Sequence, residues 1–140
     1  MGRGQDMTKG RIALALAVLG GVFGLSGGDT QAQANNIRAE QCTRELARST
    51  LETLDPTDLG AQRGVAETCG GVGASARGVQ AARARFYAGR AYNRLGQIDE
   101  AVRQLEIAVN AGQDFESQFR RELRASRLEL AQAYRANGRI

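Results

Sequence analysis

The stretch that decides the fold is "RFYAGRAYNRLGQIDEA", Arg85 to Ala101. It predicts one helix that ends at Gly96 and a second helix directly after it, because glycine readily adopts the left-handed conformation that closes a helix. The interior Gly89 costs about 1 kcal/mol of helix propensity. Such a glycine is expected where another helix approaches closely. The stretch therefore predicts a tight hairpin of two closely packed helices.

The two predicted helices of this hairpin carry complementary apolar faces. The first begins near Ser75 and places small residues on one narrow face beside Gly89. The members of that face are Ala84, Ala88, Ala91 and Leu95. The second helix, which we expect to end at Gly112, offers larger side chains. Its apolar residues are Ile98, Ala101, Val102, Leu105, Ala108 and Val109.

The pattern of the hairpin occurs a second time. "AGRAYNRLGQI", which begins at Ala88, aligns with "LAQAYRANGRI", which begins at Leu130, at an offset of 42 residues. A repeat of a few tens of residues that carries one helical hairpin indicates a solenoid. The fold class predicted from the sequence is therefore all-α, with antiparallel helical hairpins in a short solenoid.

Around this hairpin the chain resembles a tetratricopeptide repeat. Small and aromatic residues stand at the consensus spacings of that family, and Leu105 takes the large apolar position between two alanines. The matching residues are Gly89, Tyr92, Leu95, Gly96, Ala101 and Ala108. Arg85 departs from the pattern where an aromatic residue is usual, and Gln113 departs from it where proline is usual. The match covers residues 82–115 and, in part, 124–140. The offset of 42 residues is longer than usual for the family, and the residues "AVNAG…YRANGRI" also resemble the related Sel1-type repeats.

Residues 35–74 predict an N-terminal helical hairpin, which we interpret as a cap on the repeat region of residues 75–140. The first helix has Ile37, Leu46, Leu51 and Leu54 as its larger apolar residues. A bend follows at Asp55-Pro56, with Asp55 as the expected cap of the second helix.

The two cysteines of the chain lie symmetrically about this bend. Cys42 lies 13 residues before Asp55, and Cys69 lies 13 residues after Pro56, so the two are level in an antiparallel hairpin. A structural disulfide between Cys42 and Cys69 is predicted. Free thiols or a catalytic cysteine remain alternatives, whereas two thiolates without histidine make a poor zinc site.

Residues 1–34 have the order of a secretory signal peptide, with a basic leader, the apolar run Ile12 to Leu25 and the small-residue end Ala32-Gln33-Ala34. Cleavage after Ala34 is expected, which predicts a periplasmic or secreted protein of bacterial type. An uncleaved anchor is the alternative, although the apolar run is short for a membrane helix.

The composition argues against an enzyme. The chain has no histidine, and it shows neither a nucleophile motif nor a metal-ligand cluster nor a phosphate-binding loop after a strand. No catalytic residue, metal or cofactor is predicted. The net charge of +4 is too small to indicate a nucleic-acid partner by itself. After signal cleavage, no membrane association is expected.

The resemblance implies that the first helix of each hairpin lines a concave groove that holds an extended peptide. The side chains expected there are Arg83, Phe86, Arg90, Asn93 and Arg94, joined by Arg135 from the partial repeat. Arginine offers bidentate donors to carboxylates, so an acidic segment or a C-terminus of another protein is the predicted partner. The alternatives are a solvated helix face without a ligand, a structural or oligomerising envelope protein, and a fragment of a longer repeat protein. Homo-oligomerisation remains open.

Overall fold

The computed structural model of the chain describes residues 27–48 and 55–139, and within these ranges all regular secondary structure is α-helical. The five helices are α1 Gly27–Arg48, α2 Leu59–Gly70, α3 Val79–Arg94, α4 Ile98–Gln113 and α5 Glu116–Ala136. The predicted all-α class is confirmed. The apolar run of the leader, together with Leu51 and Leu54, lies outside the described residues. Within the described part of the chain, no helix is long and apolar enough to cross a membrane.

The hairpin of α3 and α4 forms as predicted, except that α3 begins at Val79 and not near Ser75. Gly96 has a φ of 74°, and the backbone N–H of Gln97 donates to the Tyr92 carbonyl at 2.9 Å, which closes α3. Gly89 is buried, and a Cβ atom there would collide with the Leu105 side chain and lie 3.3 Å from the Ala101 carbonyl oxygen. The close helix approach inferred from Gly89 is therefore confirmed.

The N-terminal hairpin is joined by the predicted disulfide. Cys42 of α1 and Cys69 of α2 are bonded, their Cα atoms lie 5.1 Å apart, and both residues are fully buried. Their symmetric spacing about the bend predicted this pairing, because equal numbers of residues on each side bring antiparallel helices into register.

Expectations about two further helix boundaries were also wrong. The cap of α2 is Asp58, whose side chain accepts a hydrogen bond from the Ala61 backbone N–H at 3.0 Å. Asp55 instead accepts from the backbone N–H and hydroxyl of Thr57, which forms a turn before the helix and lowers the pKa of Asp55. Gly112 does not end α4 either; it is buried inside the last turn, where a Cβ would collide with Phe119.

The turn that ends α3 recurs at the end of α5. Gly138 has a φ of 69°, and the backbone N–H of Arg139 donates to the Tyr134 carbonyl at 2.9 Å. These residues lie 42 positions after Gly96, Gln97 and Tyr92, so the sequence echo marks equivalent local structure.

Burial extends the same register into the N-terminal hairpin. Ala39, Ala81 and Leu123 are spaced 42 residues apart on α1, α3 and α5, and all three are at most 5% exposed. Cys42, Ala84 and Ser126 form a second such set, each fully buried. On α2 and α4, Gln62 and Gln104 are both buried and lie 42 residues apart. Ala66 and Ala108 form a second buried pair at the same offset. The N-terminal hairpin thus follows the repeat in its burial, although its residue identities show no repeat.

Helix α3 lies at the centre of the described part of the chain and packs against each of the other four helices described there. The segment from Ala84 to Ala88, together with Gly89, is buried on all sides, and it includes the polar residue Arg85. By contrast, Ile37 of α1, expected among the apolar residues of its helix, is 52% exposed.

Candidate binding surface on the third helix

The three arginines of α3 that were predicted to line the groove face α5. Arg83 donates from Nε to Glu122 Oε1 at 3.1 Å and from Nη2 to the Gln118 carbonyl at 2.9 Å. Seven residues, or about two helical turns, further along both helices, Arg90 faces Glu129. The matched advance shows that α3 and α5 run parallel, with a row of arginines opposite a row of glutamates.

Arg90 and Arg94 share a single carboxylate. Their nearest nitrogens lie 3.7 Å and 3.8 Å from Glu129 Oε1, which is ion-pair distance but beyond a hydrogen bond. Asn93 donates from Nδ2 to the carbonyl and to Oε2 of the same glutamate, both at 3.0 Å. Glu129 thus accepts hydrogen bonds from Asn93 through its carbonyl and Oε2, while its Oε1 only ion-pairs with the two arginines. Among the contacts of the described residues, Arg90 and Arg94 have no hydrogen-bond acceptor.

The surroundings of Arg90 disfavour its charge. Burial lowers the pKa of Arg90, the neighbouring Arg94 lowers it further, and Glu129 opposes both effects. The side chains of Arg90 and Arg94 are 26% and 25% exposed, and that of Glu129 is 14% exposed. The positive charge at this point is thus partly shielded from water, where an added carboxylate interacts more strongly than on an open surface.

Helix α3 forms the floor of this surface. Leu46 of α1, together with Gln62 and Val65 of α2, lies on one side of Tyr87, Arg90 and Arg94. The cleft between them measures only about 10 Å³. This part of α3 is therefore a shallow floor and not an enclosed pocket.

Phe86 does not belong to this surface, and the expectation that it lines the groove was wrong. It is 3% exposed, and its ring centroid lies 5.3 Å from that of Tyr87 within the core. The helical wheel placed Phe86 off the small-residue face, but α3 is buried on more than that face because four helices surround it.

The remaining predicted residue, Arg135, is exposed in the last turn of α5. The structure does not bring it into contact with Arg83, Arg90 or Arg94. We refer below to Arg83, Arg90, Asn93 and Arg94 with their two opposing glutamates as the arginine row.

Sequence reasoning missed Glu122 and Glu129 as members of the row. A signal for them exists in the sequence, because their spacing of seven residues equals that of Arg83 and Arg90. Equal spacing on two parallel helices brings the charges into register. In the described ranges, no group of three histidine, cysteine, aspartate or glutamate side chains could hold a metal ion.

Comparison with known proteins identifies no relative: no family model matches the chain, and no curated protein or solved structure matches it.

Proposed function

We propose that this chain is an exported helical-repeat module that binds an acidic segment or a C-terminus of another protein across the arginine row. The observation that carries the proposal is the pair Arg90 and Arg94, two partly shielded guanidinium groups whose donors are not used in hydrogen bonds. A carboxylate of a partner would supply the missing acceptors. Charge-assisted hydrogen bonds of this kind are about twice as strong as neutral ones.

The repeat register supports a binding role for α3. Equivalent positions on three helices are buried at the same offset, and the α3–α4 hairpin carries the residues that resemble a tetratricopeptide repeat. In that family the first helices of the hairpins line the binding face, and here α3 forms the floor that carries the arginine row.

Export is part of the proposal, and the disulfide supports it. The disulfide between Cys42 and Cys69 is of the kind that persists in oxidising compartments. The expected cut after Ala34 falls within α1, which begins at Gly27. Cleavage there would remove Gln33 and Ala34, which are exposed, and Ala32, which is half-buried. It would keep Asn35, which is 5% exposed and donates to the Ser75 hydroxyl at 2.6 Å.

The test is retention of a partner from envelope extract on the immobilised protein, produced with its leader in an oxidising compartment. We expect a partner that is retained at low salt, weakened at high salt and lost from the Arg90→Glu/Arg94→Glu variant. The matched control is Arg44→Glu/Arg103→Glu, which makes the same charge change at side chains that are 69% and 67% exposed. This control should retain the partner.

A further pair of variants separates binding from folding. Arg90→Gln/Arg94→Gln removes the charges without adding repulsion toward Glu129, and it should also lose the partner while its far-ultraviolet helix signal is unchanged. Glu129→Gln should strengthen retention, because it removes the internal competitor. If all variants retain the same proteins as the native chain, the arginine row is not the binding site. Self-association that is unaffected by these variants would favour the structural role instead.

A further inference from the structure

We infer that a second site lies on another part of the molecule and takes a short aliphatic carboxylate, whose charged group binds at Arg85. The site is the groove between the segment of residues 74–78, the start of α3 and the end of α4, called here the aliphatic groove. It uses no residue of the arginine row, so the inference does not depend on the proposed function.

Arg85 is a buried cation without a carboxylate partner. It is 7% exposed, and it donates to Gln104 Oε1 at 3.2 Å and to the Gly73 carbonyl at 2.8 Å. Both acceptors are neutral, and among the described residues no carboxylate bonds to it. Burial lowers the pKa of Arg85, and no acidic side chain offsets that effect. A buried charge is costly unless it is paired, so this guanidinium favours an anion beside it.

Two neutral contacts also fix the orientation of Arg85. One holds the guanidinium to α4 through Gln104, and the other holds it to the segment before α3 through Gly73. An anion-binding group that is already held in place loses little conformational freedom when its ligand arrives. Arg85 is therefore prepared for a ligand by contacts that do not satisfy its charge.

The groove beside Arg85 has the size and the wall of a site for a small apolar molecule. Its volume is about 470 Å³, within the range of small-ligand pockets. The wall is formed mainly by apolar side chains, which are Ala76, Ala81, Ala82, Ile107, Ala111 and Phe115. The alanines leave room because they are small, and Arg85 occupies a position where the resemblance would place a bulky aromatic residue.

The charges of the groove select a monocarboxylate. Arg85 and Arg77 contribute two positive charges, and Asp114 contributes one negative charge. The excess is one positive charge, which matches one carboxylate. The wall offers hydrocarbon contact and few polar partners, so a sugar or nucleotide would leave its hydroxyl groups unpaired there. An aliphatic chain that ends in a carboxylate would pair with the charge of Arg85 and would pack its hydrocarbon part against the apolar wall.

Calorimetric titration of the full chain with octanoate tests the inference, with octanol as the uncharged probe. We expect octanoate to bind at least about tenfold more tightly than octanol, because only octanoate forms a charge-assisted bond. Arg85→Gln should abolish this preference. Ala111→Leu should weaken octanoate binding about tenfold or more, because the larger side chain fills part of the groove that the hydrocarbon chain would occupy.

Ala131→Leu is the matched control for the filling variant, since Ala131 is exposed on α5 outside the groove. It should bind octanoate as the native chain does, and so should Arg90→Glu/Arg94→Glu, which separates this site from the arginine row. If the Arg85→Gln variant does not fold, the octanoate affinity of Ala111→Leu decides whether the inference holds. Equal binding of octanoate and octanol, or unchanged binding in Ala111→Leu, overturns the inference. Binding of a short peptide that ends in leucine, without binding of octanoate, also overturns it and favours a peptide C-terminus.

Discussion

Replacing Gly89 by alanine should destabilise the protein even though alanine is the better helix former. The gain in helix propensity is about 1 kcal/mol. Against it stands the new Cβ atom, which would collide with Leu105, a residue with no exposed surface, and would approach the Ala101 carbonyl to 3.3 Å. Forcing an extra carbon into a packed core costs about 1–3 kcal/mol. The expected net change is a loss of about 0–2 kcal/mol in the free energy of unfolding.

Gly64→Ala is the matched control for this prediction. Gly64 also lies inside a helix, α2, but a Cβ atom there would meet nothing within 4 Å. That variant should gain up to about 1 kcal/mol, so the two variants should differ by about 1–3 kcal/mol. Urea unfolding followed by far-ultraviolet circular dichroism measures both. If Gly89→Ala is stabilised as much as Gly64→Ala, α3 and α4 do not approach as closely as described, and the reasoning from Gly89 is refuted.

Two further predictions concern the disulfide and the tyrosines. Cys42→Ala/Cys69→Ala should lower the free energy of unfolding by about 3.5 kcal/mol, the loop-closure value for a sequence separation of 27 residues; an unchanged urea midpoint would contradict it. Burial raises the pKa of Tyr87 and Tyr92, and a hydrogen bond to a glutamate raises that of Tyr134. A raised folded-state pKa gives stability that is complete below the unfolded value near 10 and is lost as the pH rises through the folded value. Spectrophotometric titration of the tyrosines, unobscured because the chain has no tryptophan, should therefore give midpoints above 10 that fall in denaturant.

The sequence predicted the features that depend on local chemistry. Gly96 closes a helix because of its own backbone freedom, and the pairing of Cys42 with Cys69 follows from their equal distances to one bend. The close packing at Gly89 was also predictable, since an interior glycine in a helix needs a tertiary reason. None of these inferences requires knowledge of which helix lies next to which.

The features that the sequence did not predict depend on which neighbouring helix covers each face of a helix. A helical wheel gives the direction of Phe86 and of Arg90, but it does not show that four helices surround α3 or that α5 brings Glu129 opposite Arg90. The cap of α2 was misplaced for a different reason. Asp55 and Asp58 are both acceptable caps, and the hydrogen bonds of Thr57 to Asp55 decide between them.

The central position of α3 has a consequence for how the molecule comes apart. In an extended repeat array each unit touches only its neighbours, so the ends can fray while the middle stays folded. Here each of the other described helices packs against α3, and none of them can keep its full set of contacts once α3 unfolds. We therefore expect the chain to unfold in one cooperative transition, in which amide protons of α1 and α5 exchange through the same global opening as those of α3.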